Sequence, residues 1–185
     1  MILRVITKAT VVIAAVAFVL ACVVPIVYDW HEVRPRLPEI RATLETFTSE
    51  DRIVPANVAD FVWKLDQKRE IDINTQVVRT LVGQALPMKA AAWHAHNLMW
   101  SLLLPFHFDK QERTALYCHN IFYENGKGLS NAAEYYFHKL PRELSSEEVA
   151  GIIAIDRSPN GNSPTRHPDR YARTTKRLLD AYVTP

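Results

Sequence analysis

Residues 128–150 read GLSNAAEYYFHKLPRELSSEEVA, and this stretch decides the fold. The small side chains of Ala132 and Ala133 allow close packing between helices, and a helix is predicted over residues 129–137. Ser145 and Glu148 have the spacing of a capping box, in which each side chain accepts a hydrogen bond from the other residue's backbone N–H. The stretch therefore predicts two helices joined by a short connection.

The sequence on both sides of this stretch predicts further helices and almost no strand. Upstream, helices are expected over residues 39–47, 57–68, 75–82, 88–104 and 109–122, and downstream over residues 168–182. The helix over 88–104 is the longest apolar one, and Pro105 is expected to end it. We expect it to be either the buried centre of the domain or a helix that touches the membrane. The predicted fold class is mostly α.

An apolar run near the N-terminus has the length of a membrane span. Residues 9–27 read ATVVIAAVAFVLACVVPIV without a charge, and about 20 apolar residues cross a bilayer as a helix. Arg4 and Lys8 precede the run, so the positive-inside rule keeps that end in the cytoplasm. The predicted organisation is a basic cytoplasmic tail (1–8), a transmembrane anchor (9–28), a juxtamembrane linker (29–38) and one domain (39–185).

Two other interpretations of the apolar run stay open. A cleaved signal peptide usually has a shorter apolar core than this one. A lipoprotein would be modified at Cys22, which follows the sequence VLA, although the apolar VVPIV after it argues against that interpretation. All three interpretations export the domain, and they exclude a cytoplasmic enzyme.

The composition excludes several classes of function. Of 185 residues, 48% are hydrophobic, and the net charge is only +2. This balance is typical of an ordered globular chain and argues against a nucleic-acid partner. The cysteines Cys22 and Cys118 are not expected to pair, because Cys22 lies in the apolar run. There is no Cys/His zinc spacing, and His94 and His96 would point to different faces of a helix, so we expect no metal site.

Short motifs follow one another in a fixed order along the chain. They read SEDR (49–52), QVVRTL (76–81), DKQE (109–112) followed by ALYCH (115–119), GLSNAA (128–133), YFHK (136–139), LSSEE (144–148) and RHPDR (166–170). In order and spacing they resemble the E-D-x-x-F-x-x-H-x-G, Q-L-V-[KR]-N-L, S-K-D-E-I-L-E-x-Y-L-N, G-[IV]-x-x-A-A, YFGK…LSxxEAA and R-N-P-x-R segments of glycosyltransferase family 51. These are the transglycosylase domains of bifunctional penicillin-binding proteins and of monofunctional transglycosylases.

The resemblance implies a single lysozyme-like helical transglycosylase domain at the periplasmic face of a bacterial inner membrane. The substrate would be lipid II, a disaccharide-peptide on a polyprenyl pyrophosphate. Glu50 would be the general base that takes a proton from the acceptor sugar hydroxyl, which attacks the anomeric carbon as the lipid pyrophosphate leaves. The substrate-binding positions it implies are Asp51, Gln76, Arg79, His94, His96 and His119. A divalent cation is conceivable by resemblance only, since no ligand set in the sequence demands one, and we expect no cofactor.

Several family positions carry other residues. The Phe and His of the first motif fall on Val54 and Asn57. The second family glutamate falls on Ala115, and the motif asparagine falls on His119. The basic R-K-x-K-E motif falls on WHAHN at 93–97, where the histidines are largely neutral at neutral pH. These histidines would supply charge only below about pH 6.5, or they are simply packed or solvated polar side chains.

The residues leave three functional hypotheses. In the first, a diverged protein contacts lipid II or glycan strands in cell-wall assembly with low or no polymerase activity, as a pseudoenzyme that partners cell-wall synthases. In the second, the chain is an active monofunctional peptidoglycan glycosyltransferase with Glu50 as base. In the third, it is a membrane-tethered envelope scaffold without a glycan ligand, and the basic residues between 166 and 177 are an ordinary solvated face.

Overall fold

The protein is built almost entirely from helices. The structure is a computed structural model that describes residues 2–47, 52–81 and 89–184, with side chains from Thr10 onward. The α-helices are α1 (Ile2–Tyr28), α2 (Leu37–Thr46), α3 (Ala56–Gln67), α4 (Ile73–Leu81), α5 (Ala90–His107), α6 (Lys110–His119), α7 (Leu129–Phe137), α8 (Ser146–Arg157) and α9 (Pro168–Val183). Among the described residues, strand occurs in one antiparallel hairpin of β1 (Phe122–Tyr123) and β2 (Gly126–Lys127). The prediction of a mostly α fold is confirmed.

The N-terminal helix continues into the domain without a break. A π-helical turn (Asp29–Val33) and a 3₁₀ turn (Arg34–Arg36) connect α1 to α2, so the segment expected as a linker is helical. Within the described part of the chain, one helical stretch, Thr10–Thr46, is long and apolar enough to cross a membrane, and its most apolar part is not buried by protein. This stretch has the length and composition that a membrane anchor requires.

Helix α8 is the centre of the domain. Every residue from Val149 to Ile155 is buried, and the helix packs against α3, α7, α9 and the hairpin. Gly151 lets the neighbouring helix come close, because a Cβ at this position would lie 2.3 Å from the Tyr171 hydroxyl of α9. A helix that is apolar all round is buried all round, as its sequence VAGIIAI indicates.

Two helix starts show how local sequence sets the boundaries. At α8, the Ser145 hydroxyl accepts from the Glu148 N–H, and the Glu148 carboxylate accepts from the Ser145 N–H, so the predicted capping box is confirmed. At α6, Asp109 and Glu112 form the same reciprocal pair at 2.8 Å in both directions. Each cap satisfies donors that a helix start otherwise leaves without a partner.

Two expectations about α5 need correction. The helix does not end at Pro105 but runs to His107, because a proline in the last turn removes only one backbone hydrogen bond. Helix α5 is also not the buried centre of the domain. His96, Trp100 and Leu104 face the interior, while Leu98, Leu102 and Phe106 are 60%, 57% and 81% exposed. The apolar residues of α5 therefore lie on two faces of the helix, one packed against the rest of the domain and one exposed.

Candidate substrate-binding site

A pocket of about 290 Å³ lies where α2 meets the start of α6. Its walls include Leu44 and Glu45 from α2, Arg52 from the following segment, and Glu112 and Ala115 from α6. The sequence SEDR at 49–52 and the sequence ALYCH at 115–119 therefore flank one depression, although 63 positions separate Arg52 from Ala115 in sequence. The predicted site residues Glu50 and Asp51 lie outside the described residues. Their described neighbour Arg52 lines the pocket.

The charges at this pocket are mostly engaged with neighbours. Arg41 Nη1 lies 3.5 Å from a Glu112 carboxylate oxygen, and Arg41 Nη2 donates to the His107 carbonyl at 2.9 Å. Arg52 Nη2 donates to the Glu45 carbonyl at 2.9 Å. Ala115, at the position of the second family glutamate, is buried. The pocket thus holds two guanidinium groups together with the carboxylates of Glu45, Asp109 and Glu112, and it has no carboxylate at position 115.

His119 lies beside the segment that carries the first motif. Its ring stacks on Phe47 with 4.0 Å between ring centroids, and His119 is otherwise exposed. Phe47 directly follows α2, so His119, on which the resemblance places the motif asparagine, contacts the end of that helix.

Gln76 and Arg79 both lie on α4, and Gln76 belongs to a different depression. Gln76 lines a polar cavity of about 680 Å³ together with Asp66, Asp72 and Arg157. Burial raises the pKa of Asp66, although the Ile73 N–H, which donates to its carboxylate at 2.9 Å, partly opposes this. The described residues do not join Gln76 to the pocket between α2 and α6.

Asp156 is a partly buried carboxylate that belongs to none of the sequence motifs. It accepts from the Phe122 N–H at 2.8 Å and from the Tyr117 hydroxyl at 3.4 Å, and so holds the hairpin against α8 and α6. Burial raises the pKa of Asp156 to about 6, against the hydrogen bonds from Phe122 and Tyr117 and the nearby charge of Arg79, which lower it. The predicted site residue Arg79 is exposed and acts electrostatically on this carboxylate.

The side chains of His94 and His96 lie on different faces of α5, as their spacing predicted. His94 is exposed and meets the Trp93 ring edge-on at 5.0 Å. His96 is buried, its Nδ1 lies 2.6 Å from the Tyr28 hydroxyl, and its Nε2 has no hydrogen-bond partner among the described residues. Burial lowers the pKa of His96, and the charge of Arg36 adds to this effect. Burial therefore favours the neutral form of His96 at the junction with α1, which argues against a role for His96 as a source of charge.

The described residues also bear on a divalent cation. No group of three His, Cys, Asp or Glu side chains in residues 2–47, 52–81 and 89–184 is arranged to hold a metal ion. The donors present in this part of the chain do not form a cation site.

Comparison with known proteins gives the family. The sequence model of the family described as Transglycosylase matches residues 45–183. Penicillin-binding protein 1A of Aquifex aeolicus is 36% identical over 84 residues, which cover 42% of this chain and 12% of that protein. Penicillin-binding protein 4 of Bacillus subtilis is 35% identical over 92 residues, or 47% of this chain and 15% of that protein. The chain thus matches a small part of the length of these relatives. Because the family match covers most of the chain, the chain belongs to the transglycosylase family.

Proposed function

We propose that this chain is a membrane-anchored transglycosylase-family protein that contacts lipid II or glycan strands during cell-wall assembly and has low or no polymerase activity. The domain would face the periplasm from the bacterial inner membrane, and cell-wall synthases would be its protein partners. The observation that carries the proposal is the pocket between α2 and α6, which Arg41 and Arg52 line and in which Ala115 stands where the resemblance places the second family glutamate.

The pocket offers guanidinium donors to an anionic group, although the carboxylates of Glu45, Asp109 and Glu112 also line it. A guanidinium group binds phosphate oxygens through paired N–H donors, and two such groups line a depression of about 290 Å³. Arg52 donates through Nη2 to the Glu45 carbonyl at 2.9 Å, which orients the guanidinium group at the pocket. This arrangement supports binding of the pyrophosphate of lipid II more directly than it supports turnover.

Turnover needs more than a bound substrate. Glu50 would take the proton of the acceptor hydroxyl, the hydroxyl oxygen would form the new bond to the anomeric carbon, and the pyrophosphate would leave with the electrons of the broken bond. Losing one electrostatic partner costs about 10²- to 10³-fold in rate, and losing an acid–base group costs about 10²- to 10⁴-fold. Ala115 and the histidines of α5 replace several such groups. Effects within one site do not simply add, yet the combined loss supports slow or absent polymerisation.

Binding of lipid II to the full chain tests the proposal. The full chain in neutral detergent is titrated with fluorescent lipid II, beside Arg52→Gln and beside Arg173→Gln as a matched control on the exposed face of α9. We expect saturable binding that Arg52→Gln weakens about tenfold, the size of one lost charge-assisted contact, while Arg173→Gln leaves it unchanged.

Two results would contradict the proposal. Absence of lipid II binding in every variant would favour the membrane-tethered scaffold. Equal weakening by Arg52→Gln and Arg173→Gln would mean that general positive charge, and not the pocket, attracts the ligand.

A further inference from the structure

A second cavity, of about 720 Å³, lies between the end of α1 and the end of α5. Its apolar walls are Pro25, Ile26 and Leu37 on one side and Leu103 and Phe106 on the other. This volume falls within the range of about 300–1,000 Å³ that small-molecule sites occupy. The cavity does not share a residue with the pocket between α2 and α6.

The cavity has one polar end, built around Asp29. The Asp29 carboxylate is buried and accepts from Arg34 Nε at 2.8 Å, and its other oxygen lies 2.5 Å from His107 Nε2. Burial alone would raise the pKa of Asp29, but the hydrogen bonds from Arg34 and His107 outweigh it and hold that pKa below its usual value. Asp29 is therefore ionised at neutral pH and fixes the orientation of Arg34.

Arg34 has donors left for a ligand. Asp29 engages only its Nε, the side chain is 54% exposed, and its guanidinium group lies 5.0 Å from the centre of the exposed Trp30 ring. Trp and Arg side chains of this kind sit at the depth of lipid headgroups, with the apolar part toward the bilayer. In a bilayer that α1 spans, Arg34 and Trp30 would lie near the depth of the lipid phosphates.

The helices around the cavity indicate which kind of ligand it binds. The helix that supplies Pro25 and Ile26 is the proposed membrane anchor, so this wall lies at the edge of the hydrocarbon core. On the opposite wall, Phe106 continues the exposed apolar stripe of Leu98 and Leu102 along α5. An apolar stripe that joins a membrane span is covered by lipid when the span is in a bilayer, and the cavity between them opens onto that lipid.

We propose that the groove between α1 and α5 binds one membrane glycerophospholipid, with an acyl chain against Ile26, Leu103 and Phe106 and its phosphate on Arg34. The bound lipid joins the anchor to the domain and sets the height of the domain above the membrane. This inference rests on the proposed membrane anchor and is independent of lipid II, because the groove and the α2–α6 pocket share no residue.

Native mass spectrometry of the full chain, released from detergent micelles and titrated with phosphatidylglycerol, tests this site. We expect one lipid to stay bound to the wild type. Ile26→Trp fills the groove from an exposed position, and Arg34→Gln removes the phosphate donors, so each is expected to lower lipid occupancy at least tenfold. Arg36→Gln is the matched control. Arg36 lies two positions after Arg34 and pairs with Glu32 outside the groove, so this variant should bind lipid like the wild type.

Other outcomes overturn the site. Equal lipid occupancy in the wild type, Ile26→Trp and Arg34→Gln would show that the lipid is bound elsewhere. Displacement of the phospholipid by an equimolar polyprenyl phosphate would assign the groove to a polyprenyl chain instead. Because Ile26→Trp leaves the Asp29–Arg34 pair in place, its result stands even if Arg34→Gln disturbs the junction. Loss of lipid II binding or of polymerisation has no bearing on these outcomes.

Discussion

Replacement of Asp156 by asparagine should stabilise the domain at neutral pH. The asparagine carbonyl can still accept from the Phe122 N–H, and its NH₂ group can donate to the Tyr117 hydroxyl, so the packing is retained. What changes is the cost of a charged carboxylate in a mostly buried place. That cost is what raises the pKa of Asp156 from 3.8 to about 6.

The size and the pH window of the effect follow from that shift. A shift of one pKa unit corresponds to about 1.4 kcal/mol, so a rise from 3.8 to about 6 is worth about 3 kcal/mol at most. Some solvent contact remains, and we expect about 1–3 kcal/mol. Because the folded-state pKa is the higher one, the wild type is more stable when protonated. It loses stability as pH rises through the window from about 4 to 6, and the loss is complete above that window.

Chemical denaturation of the full chain in neutral detergent, followed by far-UV circular dichroism, measures this effect. Asp156→Asn should exceed the wild type in free energy of unfolding by about 1–3 kcal/mol at pH 7.5, and the gap should close by pH 4. Glu134→Gln, an exposed carboxylate on α7, is the control and should show no such gap. A gap that stays constant from pH 4 to 7.5, or a less stable Asp156→Asn at pH 7.5, would refute a raised pKa at Asp156.

Three further changes test the packing, the cap and the anchor junction. Gly151→Ala should destabilise the domain by about 1–3 kcal/mol in thermal unfolding, because the new methyl group meets the Tyr171 hydroxyl, and adding Tyr171→Phe should restore part of the loss; no rescue would contradict this contact. Ser145→Ala should cost about 1 kcal/mol through the lost cap of α8, and an unchanged unfolding midpoint would disprove its role. Asp29→Asn should lower the unfolding midpoint more at pH 7 than at pH 3, because the depressed pKa of Asp29 contributes stability that is present above the ordinary Asp pKa of about 4 and is lost as pH falls through the lower folded-state pKa; an equal loss at both pH values would argue against the ionised pair.

The sequence predicted most of the helices because their signals are local. The capping residues Ser145 and Glu148 and the apolar run from Val149 to Ile155 lie within one short segment, and they suffice to set the start of α8 and its burial. The prediction that α5 ends at Pro105 was wrong. A proline usually stops a helix, but a proline in the last turn removes only one backbone hydrogen bond. The hairpin was not predicted because its strands are only two residues each.

The candidate site was harder to predict because its features depend on distant contacts. Asp156 ends an apolar helix segment in the sequence and looks like an ordinary surface carboxylate, and only the packing of the hairpin buries it. His96 fell on a family position that usually carries a cation, but its contact with Tyr28 across 68 positions places it in the interior. The motif order, by contrast, is a property of the sequence, and the family match confirmed it over residues 45–183.

Polymerisation of lipid II by the purified full chain, scored by glycan-chain length beside Glu50→Gln, tests the central claim most directly. With the catalytic positions altered as they are, we expect bound lipid II but little or no polymer from either protein between pH 5 and 8. Long glycan chains from the wild type and none from Glu50→Gln would contradict this account and establish an active glycosyltransferase with its base at Glu50.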